Sequence, residues 1–363
     1  MLVTASPWAG RRVLVTGHTG FKGGWLSLWL HQQGADVCGF ALAPPTDPSF
    51  FVQTRLEELI RHVEGDVRDA AAVDALVADF KPEVIFHLAA QPLVRASYAE
   101  PVETYATNVM GTVNVLDSCR RLPGVTAAVC ITTDKCYENR EWVWSYRETD
   151  PMGGYDPYSS SKGAAEIVIA GYRQSYFGET GTAVASVRAG NVIGGGDWAD
   201  DRLIPDVIRA LLEGKRPLIR APNSIRPWQH VLEALSGYVA IGERLLAGER
   251  SFATAYNFGP SDDDARPVSW VVDRLLAAWG AEGWDQPGGD QPHEAVLLRL
   301  DTSKARAELG WKPALRLEQA LARVAEWHRH VAEGGDARTV SLDQLREYQD
   351  VSSKSAAEQR LWA

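Results

Sequence analysis

The chain lacks the features that mark nucleic-acid-binding and membrane proteins. Its 363 residues carry 37 Lys and Arg against 47 Asp and Glu, a net charge of −10, and no long Lys/Arg run. We therefore expect no nucleic acid and no membrane as a partner, although a few local cations still suffice for an anionic substrate. No apolar run approaches the ~20 residues that span a bilayer, and residues 1–10 lack the pattern of a secretory signal. These absences predict a cytoplasmic protein.

Cysteine is also scarce. The four cysteines, Cys38, Cys119, Cys130 and Cys136, form no CxxC pair and have no histidine at metal-ligand spacing. The first three lie within apolar runs and are typical of small core residues in a reducing compartment. The sequence therefore predicts no metal site.

The first half of the chain alternates short apolar runs with helical patterns. Strands such as 12–16, 84–88 and 127–131 are separated by helices such as 70–80 and 158–177. This alternation predicts an α/β fold, a Rossmann-type doubly wound parallel sheet with helices on both faces. After about residue 190, Gly, Pro and Trp punctuate shorter helices, which indicates a smaller C-terminal substrate-binding lobe. The predicted division is 1–190 for the dinucleotide-binding domain, 191–335 for a lobe from which some segments return to the first domain, and 336–363 for a peripheral tail.

A glycine-rich turn follows the first strand directly. Gly17, Gly20 and Gly23 have the spacing G-x-x-G-x-x-G, with a strand before them and a helix after them. Such a turn lets backbone NH groups approach a pyrophosphate at a helix N-terminus, and the flanking elements favour this interpretation over a plain tight turn. The predicted cofactor contacts of this loop are Gly17, His18, Gly20, Phe21, Lys22 and Gly23.

The end of the second strand leaves the type of dinucleotide open. An acid that binds the adenosine ribose is expected ~20 residues after the glycines, but residues 40–43 read Phe-Ala-Leu-Ala. This position does not decide between NAD and NADP. Asp66 and Val67, which close the third strand, are candidate adenine contacts, and Asp66 is equally well explained as a turn cap.

Tyr158 and Lys162 open a long helix at a spacing of four, which places both side chains on one face. An ammonium beside a phenol favours the phenolate, so we expect Lys162 to lower the pKa of Tyr158. The alternative is an exposed Tyr/Lys pair without catalytic role. The glycine loop upstream favours the catalytic interpretation.

Five motifs occur in the order typical of one family. They are GHTGFKG (17–23), HLAAQ (87–91), NVMGT (108–112), YSSSK (158–162) and RAGNVIG (188–194). On these motifs, residues 12–311 resemble an extended short-chain dehydrogenase/reductase. Within that family, Thr133-Asp134-Lys135 is similar to the nucleotide-sugar 4,6-dehydratases. Lysine in the third position, LAPPTDPS (42–49) and IRPWQHV (225–231) resemble the branch that acts on CDP-glucose.

The resemblance implies an NAD cofactor that is reduced and reoxidised in place. Tyr158, supported by Thr133 and Lys162, would take the proton of the sugar 4-hydroxyl, Asp134 would protonate the departing 6-hydroxyl, and Lys135 would take the C5 proton. A loop ion pair is the alternative for Asp134 and Lys135. The further cofactor contacts it implies are Leu88, Ala89, Ala90 and Thr107. The implied contacts to a nucleotide-sugar substrate, CDP-glucose, are Gln91, Asn191, Arg202, Arg226 and His230.

The resemblance also implies a homodimer formed through the small-residue helices 108–119 and 164–171. Two alternatives stay open at this point. A nucleotide-sugar 4-epimerase shares Tyr158 and Lys162 but needs no Asp134–Lys135 pair. A dinucleotide-binding regulatory protein without catalysis is the other, and the intact Thr133, Tyr158 and Lys162 argue against it.

Overall fold

The computed structural model describes residues 6–178, 181–287 and 298–360. Ten strands lie in these residues: β1 (Arg12–Thr16), β2 (Asp36–Ala41), β3 (Arg61–Glu64), β4 (Val84–His87), β5 (Ala127–Ile131), β6 (Ala183–Ala189), β7 (Asn191–Ile193), β8 (Ile225–His230), β9 (Ala255–Phe258) and β10 (Ala265–Pro267). The helices are α1 (Phe21–Gln32), α2 (Phe50–Gln53), α3 (Ala70–Phe80), α4 (Val94–Ala99), α5 (Pro101–Tyr105), α6 (Gly111–Arg121), α7 (Pro157–Ser175), α8 (Leu203–Leu212), α9 (Val231–Leu246), α10 (Val268–Trp279), α11 (Ser303–Leu309), α12 (Leu317–Ala332) and α13 (Ala337–Arg360). A π-helical turn, Ala106–Met110, joins α5 to α6.

Seven parallel strands form the large sheet, in the order β3-β2-β1-β4-β5-β6-β9. Its strands are apolar on both faces because each face is covered. Val13 and Val15 point into a cluster with α1 and α9, whereas Leu14 points into a second cluster with α3, α6 and α7. The predicted doubly wound α/β fold is confirmed. The strand order reverses between β1 and β4, so a crevice opens there at the carboxyl ends of the strands.

A small sheet, β10-β8-β7, lies in the second half of the chain. β7 runs parallel to β8, with Asn191 opposite Trp228, and β10 runs antiparallel to β8, with Arg266 opposite Arg226. β9, also from the second half, completes the large sheet beside β6. The division into two domains at residue 190 stays a prediction.

The C-terminal segment is more firmly attached than a peripheral tail. In α13, Leu345 and Tyr348 are buried, and the Tyr348 hydroxyl donates to Glu233 Oε2 at 2.8 Å. Glu233 Oε1 accepts from the backbone NH groups of Ala314 and Leu315, at 2.8 and 2.6 Å. The first half of α13 therefore belongs to the core.

Two further findings concern the described residues. None of their helices has both the length and the apolar composition needed to cross a membrane. All four cysteines are buried free thiols, including Cys136, which lies outside the apolar runs of the sequence.

Candidate active site

The candidate site lies where four neighbouring strands of the large sheet end. The glycine loop follows β1, residues 88–90 follow β4, the Thr133 segment follows β5, and Gly190 follows β6. Carboxyl ends of parallel strands meet at one edge, so residues far apart in sequence come together there. Leu88, Ala89 and Ala90 are half-buried at this edge, and so is Thr107 in the π-helical turn.

The glycine loop fits the pyrophosphate of a dinucleotide. Gly17 has φ +77°, and a Cβ on it would stand 2.7 Å from the backbone nitrogen of Ala89. A Cβ on Gly23 would stand 2.1 Å from the Gly17 carbonyl oxygen, so turn and helix pack backbone to backbone. Gly20 is the N-cap of α1 and supplies no side chain to bond its first NH groups. Those NH groups and the positive end of the helix dipole suit the diphosphate of NAD.

The His18 side chain of the loop is packed into the core. His18 is fully buried against Gly39, and its Nε2 lies 2.7 Å from Nδ1 of His62. Burial, followed by the neighbouring His62, lowers the pKa of His18 to about 3. His18 therefore lines the loop with its backbone, and its ring belongs to the core.

Lys22 is half-buried among the charges of the site. Burial and the cations Arg202 and Lys162 lower its pKa to about 8, and the carboxylates of Asp134 and Asp197 oppose that shift. The glycine loop predicts Lys22 as a cofactor contact only. Its charge also interacts with those of the candidate catalytic residues Lys162 and Asp134.

Asp66 adopts the turn-cap role that the sequence left open. Its Oδ1 accepts from the Arg68 backbone NH at 2.8 Å, and its carboxylate forms an ion pair with the Arg68 guanidinium. Val67 beside it is buried. Contacts of these two residues with adenine stay a prediction.

Tyr158 and Lys162 lie on the buried face of the first two turns of α7. Asp156 caps this helix by accepting from the Ser159 NH at 2.8 Å. Both side chains are under one tenth exposed, and Lys162 Nζ donates to the Ile131 carbonyl at 3.4 Å. The helix cap and the end of β5 thus fix the pair against the sheet.

The expected lowering of the Tyr158 pKa does not occur in this structure. Burial raises the pKa of Tyr158 to about 12, against the opposing effect of its hydrogen bond with Thr133. Burial lowers the pKa of Lys162 to about 8. Desolvation disfavours the charged forms of both groups here, and it is the largest influence on each pKa.

A single 3-10 turn, Asp134–Cys136, follows β5, and Thr133 is its N-cap. Thr133 Oγ1 donates to Asp134 Oδ1 at 3.0 Å and accepts from the Lys135 NH at 3.3 Å. Asp134 is buried, and burial raises its pKa against the opposing effects of Lys135 and Thr133. Lys135 is half-buried, with Nζ 6.0 Å from the centroid of the Tyr158 ring. The turn therefore brings a buried acid and an ammonium beside the tyrosine.

Gly190 makes room for this acid. A Cβ at Gly190 would stand 3.0 Å from Asp134 Oδ2 and 3.1 Å from Pro227 Cγ. Since both distances are tighter than ordinary contacts, a side chain there would displace Asp134 or the start of β8.

Two of the predicted substrate-binding cations border the site. Arg202 Nη1 lies 3.1 Å from Oδ2 of Asp197, which holds the pKa of the guanidinium above its ordinary value, and Arg202 also interacts electrostatically with Tyr158. Arg226 is half-buried, and its charge acts to lower the pKa of Asp134. Asn191 is half-buried at the start of β7. Binding of substrate by these three residues stays a prediction.

The side chains of the other two predicted substrate residues, Gln91 and His230, form hydrogen bonds within the protein. The Gln91 side chain bonds within its own loop, accepting from the Leu93 NH and donating to the Leu93 carbonyl and to Thr104. His230 is fully buried, and its Nδ1 accepts from the Leu232 NH at 3.3 Å as the N-cap of α9. Capping turns the His230 ring into the core, an arrangement that does not favour a contact with substrate.

Three groups of the site were missed from the sequence. Glu166 lies one turn beyond Lys162 on α7, a position that the same spacing argument would have found. Arg188 is buried within β6, where a charge needs a partner. Asn108 ties the π-helical turn to α7 through a 2.8 Å bond to Ser161 Oγ, and it accepts from the Gln91 NH.

Metal ligands do not assemble around this site. In the described part of the chain, no group of three or more His, Cys, Asp or Glu side chains is arranged to hold a metal ion.

Known proteins are similar to this chain in both sequence and fold. A family model described as NAD dependent epimerase/dehydratase matches residues 13–259. A CDP-glucose 4,6-dehydratase from Salmonella typhimurium is 51% identical over 96% of this chain and 98% of its own length. A dTDP-glucose 4,6-dehydratase from Streptomyces antibioticus is 30% identical over 74% of this chain and 76% of its own. A dTDP-glucose 4,6-dehydratase from Streptomyces venezuelae, solved with NAD and TYD bound, superposes with a TM-score of 0.75 at 25% identity, covering 90% of this chain and all of the other.

Replacing Gly17 by alanine tests the phosphate cradle. The added Cβ would meet the Ala89 backbone, so we expect the loop to shift and the affinity for NAD to fall at least tenfold, about 1.4 kcal/mol. Isothermal titration of the NAD-free protein measures it. Gly10→Ala is the matched control, because Gly10 has a similar φ of +72° with nothing within 4 Å of its added Cβ. Equal NAD affinity of the two variants would contradict the assignment.

Proposed function

Because the chain belongs to the NAD dependent epimerase/dehydratase family, we propose that it is a nucleotide-sugar 4,6-dehydratase that converts CDP-glucose to CDP-4-keto-6-deoxyglucose for deoxysugar biosynthesis. It would work in the cytoplasm, where its four cysteines stay reduced. Asp134 carries the proposal. It is a buried carboxyl group with a raised pKa beside Tyr158, and elimination of the 6-hydroxyl needs such an acid.

Tyr158 is the base of the first step. Its phenolate takes the proton of the sugar 4-hydroxyl, while Thr133 bonds the phenol oxygen. The Lys162 ammonium, four residues along the same helix face, would stabilise negative charge near it. The glycine loop, Gly17 to Gly23, would hold NAD, which would supply the hydride-transfer chemistry between C4 and C6 of the sugar. The raised pKa of Tyr158 means that substrate and cofactor must favour the phenolate when they bind.

Lys135 and Asp134 carry out the elimination. The 4-ketone acidifies the C5 hydrogen, and Lys135 acts as the base that takes this proton and returns it to C5 when hydride is added to C6. Asp134, whose pKa burial raises, gives its proton to the departing 6-hydroxyl, which leaves as water. The 3.0 Å bond from Thr133 holds the carboxyl in place between these steps.

Arg202 and Arg226 would bind the diphosphate of the nucleotide. A guanidinium group can bind two phosphate oxygens at once. Arg202 lies at the start of α8 and interacts with Tyr158, and Arg226 lies on β8 and interacts with Asp134. Cytidine and glucose are proposed because the relative that is half identical over almost the whole chain has that activity by name.

Incubation with CDP-, dTDP-, GDP- and UDP-glucose tests the proposal. A 4-keto-6-deoxy sugar absorbs in alkali and is lighter than the substrate by one water, whereas a 4-epimer has the mass of the substrate. We expect the dehydrated product from CDP-glucose at the highest rate. An epimer would favour a 4-epimerase, and no turnover of any substrate would favour a non-catalytic dinucleotide-binding protein.

Asp134→Asn should stop dehydration and spare binding. Loss of a general acid costs about 10²–10⁴ in rate, so we expect kcat to fall by at least 100-fold with the affinities for NAD and CDP unchanged. Glu138→Gln is the control, since that carboxylate lies four residues along the same segment and pairs with Arg140 at the surface. Dehydration at the wild-type rate in the Asp134→Asn variant would exclude Asp134 as the acid.

We further propose a homodimer formed through the helices from α5 to α6 together with α7. Tyr105 on α5 bonds Ser160 on α7 at 2.6 Å, so the two helical segments are joined. Apolar side chains are unusually exposed on them: Val102 is 82%, Ile167 63% and Met110 50% exposed. Large exposed apolar residues on adjoining helices are typical of a protein interface.

Ile167→Glu should shift the protein from dimer to monomer in sedimentation velocity, because the dimer would bury an unpaired carboxylate. Leu212→Glu is the control, since Leu212 is 41% exposed on α8. A wild-type monomer at micromolar concentration would exclude the dimer.

A further inference from the structure

A buried ion pair lies directly beneath the candidate catalytic residues. Arg188 on β6 donates from Nε to Glu166 Oε1 at 2.9 Å and from Nη2 to Oε2 at 2.8 Å, and the two side chains are 4% and 3% exposed. The attraction of Arg188 keeps the pKa of Glu166 below its usual range although burial alone would raise it. Glu166 and Arg188 are therefore both charged.

The pair holds both ends of the catalytic turn. Before the turn, the Thr132 hydroxyl donates to Glu166 Oε1 at 2.5 Å. After it, the Tyr137 hydroxyl accepts from Arg188 Nη1 at 2.6 Å and donates to Asn257 at 2.8 Å. Residues 133–136, which include Asp134, thus lie between two anchors on one ion pair.

The same carboxylate faces the lysine of the site. Glu166 is one helical turn beyond Lys162 on α7 and is the largest electrostatic influence that favours the Lys162 ammonium, against its burial. The other titratable groups that act on or feel this ammonium are Cys130 on β5, Cys136 in the turn, Lys22 on α1 and His87 on β4.

We propose that Glu166 and Arg188 are positioning residues of the dehydratase reaction, which fix the Asp134 turn through Thr132 and Tyr137 and keep a negative charge beside Lys162. This inference rests on the proposed function. A contribution to stability alone does not account for a buried ion pair here, because apolar residues of similar volume often replace such a pair without loss of stability.

A matched pair of hydroxyl deletions separates positioning from folding. Thr132→Val and Ser186→Ala each remove one buried hydroxyl bond to Glu166, at 2.5 and 2.8 Å. Only Thr132 adjoins the catalytic turn, whereas Ser186 lies within β6. We expect Thr132→Val to lower kcat for CDP-glucose at least tenfold with KM changed less than threefold. Ser186→Ala should lower kcat less than threefold at a similar loss in melting temperature.

Replacement of the whole pair tests the charge. The double variant Glu166→Gln, Arg188→Met removes both charges of the ion pair together. We expect it to fold, to bind NAD and to lose at least 100-fold in kcat. Without the Glu166 charge the Lys162 ammonium loses its proton at lower pH, so the alkaline limb of the kcat profile should also move to lower pH.

Three outcomes would overturn the inference. The first is a double variant with the wild-type kcat and pH profile. The second is an equal loss of kcat in Thr132→Val and Ser186→Ala, and the third is a change of KM in these variants with kcat unchanged. If the double variant does not fold, the two hydroxyl variants still decide. Wild-type protein is assayed first: absence of the 4-keto-6-deoxy product there contradicts the proposed function and not the positioning role.

Discussion

Desolvation at the carboxyl edge of the large sheet is the constraint on which the site depends. The same burial acts in opposite directions on its ionisable groups, raising the pKa of Asp134 and Tyr158 and lowering that of Lys162. The raised pKa of Asp134 favours the protonated carboxyl group that the proposed elimination needs. The cost is that each charge kept at this edge needs a partner, and the Glu166–Arg188 pair meets that need where strands β5 and β6 meet α7.

The second half of the chain completes the site because it is packed onto the same sheet. β8 carries Arg226, whose charge acts to lower the pKa of Asp134. Pro227 on the same strand lies beside Gly190, where a Cβ would stand 3.1 Å from Pro227 Cγ. Glu233 in α9 ties the loop before α12 and the C-terminal helix to this region through Leu315 and Tyr348. Burial raises the pKa of Glu233 to about 7, against the opposing effect of the hydrogen bonds that its carboxyl group accepts from Leu315, Tyr348 and Ala314.

Local patterns predicted the elements that depend on local physics. Apolar runs predicted strands such as β1 and β5. The glycine loop belongs to one strand–turn–helix unit, and Tyr158 and Lys162 share one helix face, so both features depend on residues close in sequence. Tertiary burial decided the rest. The ring of His18 and that of His230 turned into the core, and burial reversed the expected shift in the Tyr158 pKa.

Other features needed partners that are distant in sequence. Arg188 has no local partner, and its pairing with Glu166 follows only once β6 lies beneath α7. The burial of α13 was missed although residues 337, 340, 341, 345 and 348 are buried at helical spacing, because the high polarity of the segment hid that stripe.

Tracing the C4 hydrogen tests the central claim most directly. CDP-glucose deuterated at C4 is incubated with the protein, and the position of the label in the product is read by NMR. An acid-assisted elimination within one closed site, with NAD reduced and reoxidised in place, predicts 4-keto-6-deoxy product with deuterium at C6. An epimer with deuterium retained at C4, or a dehydrated product without the label, would contradict the account.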